Sequence, residues 1–353
     1  MEEARLIAEA DYLLIVAAAG LSIHDELPNN PYHYSADFRR HYPTLARYGY
    51  RTCFDAMGLA LDESVPPGVK LAFTARHFLN MRFEFPPTPG YEMLRQIAQT
   101  FAPDNVFCWT SNVDGCFERS GFDPKKVYTT QGEMNKFQCA NPACLNVWDV
   151  VSKLRAVDAA STDGVLSDLS LAPACPKCGT SWPNTKPNLR GGDWFIHTPY
   201  EETSARMMAW LDNCVARAAK VAIIEVGVGG NTPIVTRIPA CAFASAVHSN
   251  GGRVSYLRIN PDPPECGGQN PVDGVRFHRW RMGWRALETL APAVAKLRTE
   301  HKVAHTLAPS TEPPWDSAQA EHASELLHSQ EALLWKKSYH DILESLRTPR
   351  SSK

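Results

Sequence analysis

Four runs of apolar residues punctuate the chain, and each closes on small or polar residues. Tyr12-Leu13-Leu14-Ile15-Val16 leads into Ala17-Ala18-Ala19-Gly20-Leu21-Ser22. Asn105-Val106-Phe107-Cys108-Trp109-Thr110 stops at Ser111-Asn112-Val113-Asp114. Val221-Ala222-Ile223-Ile224-Glu225-Val226 enters Gly227-Val228-Gly229-Gly230-Asn231-Thr232-Pro233, and Arg253 to Ile259 closes on Asn260-Pro261. Continuous apolar runs of this length suit parallel strands buried on both faces. Amphipathic stretches between them predict helices, among them Tyr91 to Phe101 and Glu202 to Ala219. The alternation predicts an α/β protein with a Rossmann-like, mostly parallel sheet and helices on both faces. In such sheets ligands bind at the carboxyl ends of the strands, where these small and polar residues fall.

Two stretches break the pattern. Residues 24–90, aromatic, proline-rich and helical in pattern, read as an inserted flap or small helical subdomain. A second insert, about 133–195, surrounds four closely spaced cysteines. The expected organisation is a catalytic domain over 1–295 carrying both inserts, then a linker over 296–316 whose core is the Thr306–Pro314 stretch TLAPSTEPP. A packing or oligomerisation helix over 317–347 and a tail over 348–353 follow.

Length and charge narrow the partners. A chain of 353 residues buries enough surface to hold a core without disulfides. Lys and Arg total 36 against 38 Asp and Glu, so no electrostatic argument favours nucleic acid or an anionic membrane. The start, Met1-Glu2-Glu3, is acidic where a secretory signal would be basic, and the apolar run Tyr12 to Ile23 is short for a bilayer span. The expectation is a soluble, intracellular, cytoplasmic protein.

Six of the ten cysteines (Cys53, Cys108, Cys116, Cys214, Cys241 and Cys266) are scattered and read as inert core thiols. The others form two pairs, Cys139-x4-Cys144 and Cys175-x2-Cys178. Two short Cys-x(2–4)-Cys turns present four thiolates to a tetrahedral zinc. Pro142, Pro176 and Gly179 help the backbone curl around the ion. An all-cysteine set leaves no exchangeable position, so one structural Zn2+ is expected rather than a catalytic metal. A redox pair at Cys175/Cys178 is the competing reading, and it leaves the second pair unexplained.

The strand ends suggest a nucleotide. Ala18, Ala19, Gly20 and Ser22 let backbone N–H groups approach a pyrophosphate, and the Gly227 turn supplies a second such place. The same small residues also suit tight helix–sheet packing. Asn112 and Asp114 offer an amide and a carboxylate to a ribose or a carboxamide, and Asn260 offers a side chain to a ribose hydroxyl. Each is equally at home as a turn residue.

Taken in order, these pieces resemble the sirtuin family of NAD-dependent protein-modifying enzymes, over about residues 5–292. Ala18-Ala19-Gly20-Leu21-Ser22 looks like the family's first glycine-rich motif, Asp37-Phe38-Arg39 like its Asp-Phe-Arg, and Thr110-Ser111-Asn112-Val113-Asp114 like its Thr-Gln-Asn-Ile-Asp. The cysteine quartet, the Gly227 turn and Ile259-Asn260 follow. The resemblance implies NAD+ as co-substrate. It would be held by Ala18, Ala19, Gly20, Ser22, Phe38, Arg39, Ser111, Asn112, Asp114, Gln131, Gly227, Val228, Gly229, Asn231, Thr232 and Asn260.

The departures point to one branch. Sirtuin deacylases carry a His-Gly before the zinc ribbon as general base; here Tyr128-Thr129-Thr130-Gln131-Gly132 puts an amide there. An amide hydrogen-bonds a ribose hydroxyl but does not take its proton near neutral pH. The Gly-Ile-Pro expected before Asp-Phe-Arg is replaced by the longer His24 to Ala36. Gln131-Gly132, the Gly227–Pro233 run and Asn188-Leu189-Arg190 are similar to the macrodomain-linked, class M sirtuins, which are protein mono-ADP-ribosyltransferases. The resemblance places catalytic roles on Asn112, Gln131 and Arg190. Asp114 would take the nicotinamide carboxamide, Asn112 the ribose or a water, Gln131 the ribose diol or nucleophile, and Arg190 an acidic acceptor group. A protein acceptor is implied, in that branch a lipoyl-carrying carrier protein. NAD-dependent lysine deacylation and an NAD-binding module with little turnover remain the alternatives.

Overall fold

The computed structural model describes residues 1–23, 35–190 apart from 54, 57, 58, 60 and 61, then 194–230, 233–261 and 274–305. Its centre is a six-stranded sheet of order β3-β2-β1-β7-β8-β9. The strands are β1 (Tyr12–Ala17), β2 (Val106–Thr110), β3 (Val127–Thr129), β7 (Lys220–Val226), β8 (Arg253–Ile259) and β9 (Arg276–Trp280). Every pairing is parallel. The order runs outward from β1 on one side and from β7 on the other, so the topological switch point lies between these two strands.

The period of two along β1 divides its side chains between two cores. Leu13, Ile15 and Ala17 pack with Tyr91, Leu94 and Ile97 of the helix Pro89–Ala98 and with Leu287, Leu290 and Val294 of the helix Leu287–His305. Leu14 and Val16 face Met207, Leu211 and Val215 of the helix Glu201–Ala216 and Phe243 and Val247 of the helix Arg237–Ser249. Both faces are dry, which is why the strand reads as a continuous apolar run. The two edge strands, β3 and β9, escape the sequence pattern. One is three residues long, and the other mixes basic and aromatic residues as Arg276, Phe277, His278, Arg279, Trp280.

The second sheet is antiparallel, of order β5-β4-β6, built from β4 (Gly132–Cys139), β5 (Val147–Asp149) and β6 (Thr185–Leu189). Its helix Val151–Ala160 packs on the helix Pro67–Leu79, joining Leu71, Ala75 and Phe78 to Phe137, Val150, Leu154 and Val157 in one core. The first insert is helical where described, with Ser35–His41, Pro43–Ala46 and Pro67–Leu79 around Phe38, Tyr42, Leu45, Val69 and Phe73.

One boundary needs correction. The helix Leu287–His305 continues through residues 296–305, where a linker is expected from composition. Its charged outer face hides the continuation in the sequence, yet Arg298 docks inward: its guanidinium donates to the carbonyls of Ala8, Ala10 and Thr100 and lies over the Phe101 ring. The remainder of the expected linker, the expected helix over 317–347 and the tail lie outside the described residues. Among the described residues no helix is long and apolar enough to cross a membrane.

Candidate active site and metal centre

Backbone hydrogen bonds stitch five strand ends side by side. Ser111 N–H donates to Ala17 O, Ala18 N–H to Val226 O, Gly227 N–H to Ile259 O and Asn260 N–H to Trp280 O. At the switch point Gly20 N–H donates to Gly227 O at 3.0 Å. The two glycine turns touch so closely that a Cβ on Gly20 would lie 2.6 Å from Gly227 Cα. Gly227 also needs its positive φ of 67°, and a Cβ there would lie 2.2 Å from Leu21 N. Gly20 is therefore required by packing of turn against turn, whatever ligand approaches from outside.

Around this contact lies a buried polar network. Ser22 Oγ donates to Asp114 Oδ2 at 2.7 Å and lies 2.6 Å from Tyr91 OH. The Asn112 amide donates to Ala18 O, to Tyr91 OH and, more weakly, to Ser22 Oγ. Asp114 Oδ1 accepts from Cys116 N–H, the short helix Cys116–Arg119 presenting its amino end to the carboxylate. Burial and the Asp114 charge push the Tyr91 hydroxyl well above its ordinary range, so it stays a neutral bridge. Three of these residues, Ser22, Asn112 and Asp114, are expected from the sequence. Tyr91 is not, because its place on an amphipathic helix looks like ordinary core. Thr88, at the N-cap of the helix Pro89–Ala98, and Trp284, in a short turn before the helix Leu287–His305, donate to Leu21 O and Ile23 O and carry no motif either.

Gln131 sits at the turn between β3 and β4, half-buried. The bond from Thr130 N–H to Thr110 O brings this turn beside the Asn112 segment. Arg190, after β6, is joined to the same turn: its N–H donates to Gln131 O and its Nε to Thr130 O at 2.9 Å. The guanidinium lies over the Phe195 ring and 3.2 Å from His197 Nδ1. Partial burial and the Arg190 charge lower the His197 pKa, keeping the imidazole neutral near pH 7. His197 carries no sequence motif. Gly132 is fixed by a φ of 90° and by Asn188 O, which a Cβ would meet at 2.0 Å. Beside this corner an open cavity of about 490 Å³ lies between Tyr128, His197, Tyr200 and the first turns of the helix Glu201–Ala216.

Other expected positions lie elsewhere. Phe38 is packed with Tyr42 and Phe73 in the helical insert, and Arg39 is exposed. Ala19 opens the short helix Ala19–Ser22, and Val228 is fully buried. Asn231, Thr232 and the Asp37 side chain lie outside the described residues. Asn260 is buried at the end of β8, and its amide nitrogen finds no partner among the described residues.

The four cysteines converge as expected. Cys139 Sγ lies 3.6 Å from Cys178 Sγ, Cys144 Sγ lies 3.7 Å from Cys175 Sγ, and all four sulfurs fall within 4.8 Å of one another. A tetrahedron with zinc–sulfur arms near 2.3 Å has edges of about 3.8 Å. The set therefore fits a structural zinc. The hydroxyl and backbone of Thr180 hold the Cys178 thiol down at about 6, an environment that favours the thiolate a metal needs. Burial pushes Cys144 of the same quartet up to about 12, as it does the scattered Cys53 and Cys241. Cys266 lies outside the described residues.

An open parallel sheet with glycine turns at its switch point, joined to a four-cysteine module, is the fold of the Sir2 homologues, the sirtuins. A Sir2 homologue solved as an NAD complex matches with a TM-score of 0.51 at 20% identity, covering 85% of this chain and 94% of that one. In sequence the chain is 30% identical over 262 residues to a probable bifunctional ADP-ribose hydrolase/ADP-ribosyltransferase of Fusarium oxysporum f. sp. cubense. The match covers 73% of this chain and 41% of that protein, so the chain spans about two fifths of the relative's length. No family model matches.

Proposed function

We propose that the protein is an NAD-dependent, sirtuin-type transferase that moves ADP-ribose from NAD to a protein side chain. The observation that carries the reading is the Gln131 corner, where Arg190 is tied to the Thr130–Gln131 turn beside the Asn112 segment and the residue at the position of the expected base is an amide. The name of the Fusarium relative supports the same activity.

The strand ends suit the dinucleotide. Asn260 holds a buried amide nitrogen without a partner among the described residues, a donor suited to a ribose hydroxyl. NAD supplies the ADP-ribosyl group, released at C1′ as nicotinamide leaves. Asp114, oriented by Ser22 and Cys116 N–H, would take the nicotinamide carboxamide; Asn112 braces the Ala18–Ser22 turn through Ala18 O. Gln131 positions the ribose diol or the incoming nucleophile without deprotonating it. Arg190, its fork held by Thr130 O and His197, takes an acidic acceptor group. Incubation with labelled NAD and a cell lysate tests the proposal. Label on protein supports transfer, and O-acyl-ADP-ribose without protein label overturns it.

Deacylation keeps one specific observation in its favour. The neutral His197 imidazole, one contact from Arg190, is a proton acceptor that the sequence pattern does not reveal. Under this second reading His197→Ala abolishes deacylation of acyl-lysine peptides; under the transferase reading it alters acceptor capture alone.

A further inference from the structure

Two guanidiniums and one carboxylate are buried together behind the Gly227 turn. Glu225 of β7 stands opposite Arg258 of β8 in register, and Tyr256 lies two residues back on the same side of β8. Glu225 Oε1 accepts from Arg237 Nε at 3.0 Å and lies 3.1 Å from Arg258 Nε. Tyr256 OH donates to Glu225 Oε2 at 2.6 Å. None of the four residues is more than 2% exposed. Arg237, the first residue of the helix Arg237–Ser249, also donates through Nη2 to Val228 O.

A buried ion pair is weak evidence for stability, since apolar residues of similar volume serve as well or better. What this one does is geometric. Arg237 ties the end of β7 to the carbonyl that follows Gly227. Gly227 in turn donates to Ile259 O, accepts from Gly20 N–H, and leaves no room for a methyl group against Gly20. Displacement of Val228 therefore passes to both glycine turns at the switch point. We propose that Arg237 and Glu225 are a positioning pair that sets the shape of both turns and thereby the affinity for the dinucleotide. The inference rests on the NAD reading above.

The test uses the whole 353-residue chain, zinc-loaded, with NAD binding followed by calorimetry well below the melting temperature. Arg237→Met is expected to raise the Kd for NAD by about tenfold or more, with the apparent KM rising in parallel and kcat falling by less. Arg237→Lys, which keeps the charge opposite Glu225 but cannot span both acceptors, falls between wild type and Arg237→Met. A lowered melting temperature with a Kd within about twofold of wild type overturns the proposal, leaving the cluster a purely structural one. If Arg237→Met does not fold, Glu225→Gln makes the same comparison with shape retained. A several-fold weaker Kd supports the pair, and an unchanged Kd overturns it. Wild type that binds no NAD overturns the NAD reading and this inference together. Wild type that binds while every variant binds equally overturns this inference alone.

Discussion

A methyl group on Gly20 would be driven into the Gly227 backbone, not into open space. Gly20→Ala is accordingly expected to lower stability by about 1–3 kcal/mol, the usual cost of overpacking, and the loss should appear in denaturant unfolding without any ligand present. Gln131 behaves differently, because it sits half-buried on a turn and its side chain makes no hydrogen bond among the described residues. Gln131→Ala should leave the melting temperature and NAD affinity within about a few-fold of wild type while lowering protein labelling severely, by about a hundredfold or more if the amide positions the reacting groups. Labelling at wild-type rates would remove Gln131 from the site. Asn112, Asp114, Ser22 and the four cysteines are legible from residue type and spacing because their chemistry is local to a strand end or a turn. Tyr91, His197 and Arg237 are not, because each reaches its partners from a distant element. Glu225 is the exception that a sharper reading could catch: a carboxylate within an otherwise apolar parallel strand must find a buried cation.

At the scale of elements, the sequence shows the strands buried on both faces and hides the edges, since burial writes the pattern and β3 and β9 are only partly covered or too short. The cysteine module is legible because its metal chemistry fixes residue type at fixed spacing. Replacing Cys175 with alanine leaves three thiolates around a Zn2+. Elemental analysis should find the metal lost, and the module's strands should lose their hydrogen-exchange protection. The helical insert carries a titration of its own. His77 is buried against Phe73, 3.1 Å from Tyr42 OH, and burial lowers its pKa to about 4. The unfolded chain binds this proton near pH 6.5 and the folded chain only near pH 4, so stability is full above pH 6.5 and falls as the pH drops through that window. Between pH 7.5 and pH 5 the loss from this group comes to about 2 kcal/mol. His77→Phe should flatten the pH dependence of urea unfolding by that amount; an unchanged slope would mean the imidazole charges freely in the native state.

The whole molecule is held together across its inserts. The core shared by the helices Pro67–Leu79 and Val151–Ala160 makes the cysteine module and the helical insert one packing unit, although β2 and β3 of the parallel sheet separate them in sequence. Chelation of zinc is therefore expected to raise amide exchange in Pro67–Leu79 as well as around the cysteines, with the helix Leu287–His305 unaffected. Exchange confined to residues 132–189 would show the two inserts to be independent. The sheet order has a further consequence, for synthesis. β1 ends at Ala17 and has two neighbours, but β7 is not complete until Val226. At about 5–20 residues per second, one edge of the central strand waits roughly ten to forty seconds for its partner. During that interval the backbone N–H and C=O groups along one side of Leu13 to Val16 form an unpaired strand edge, open to mispairing with another chain until β7 covers it.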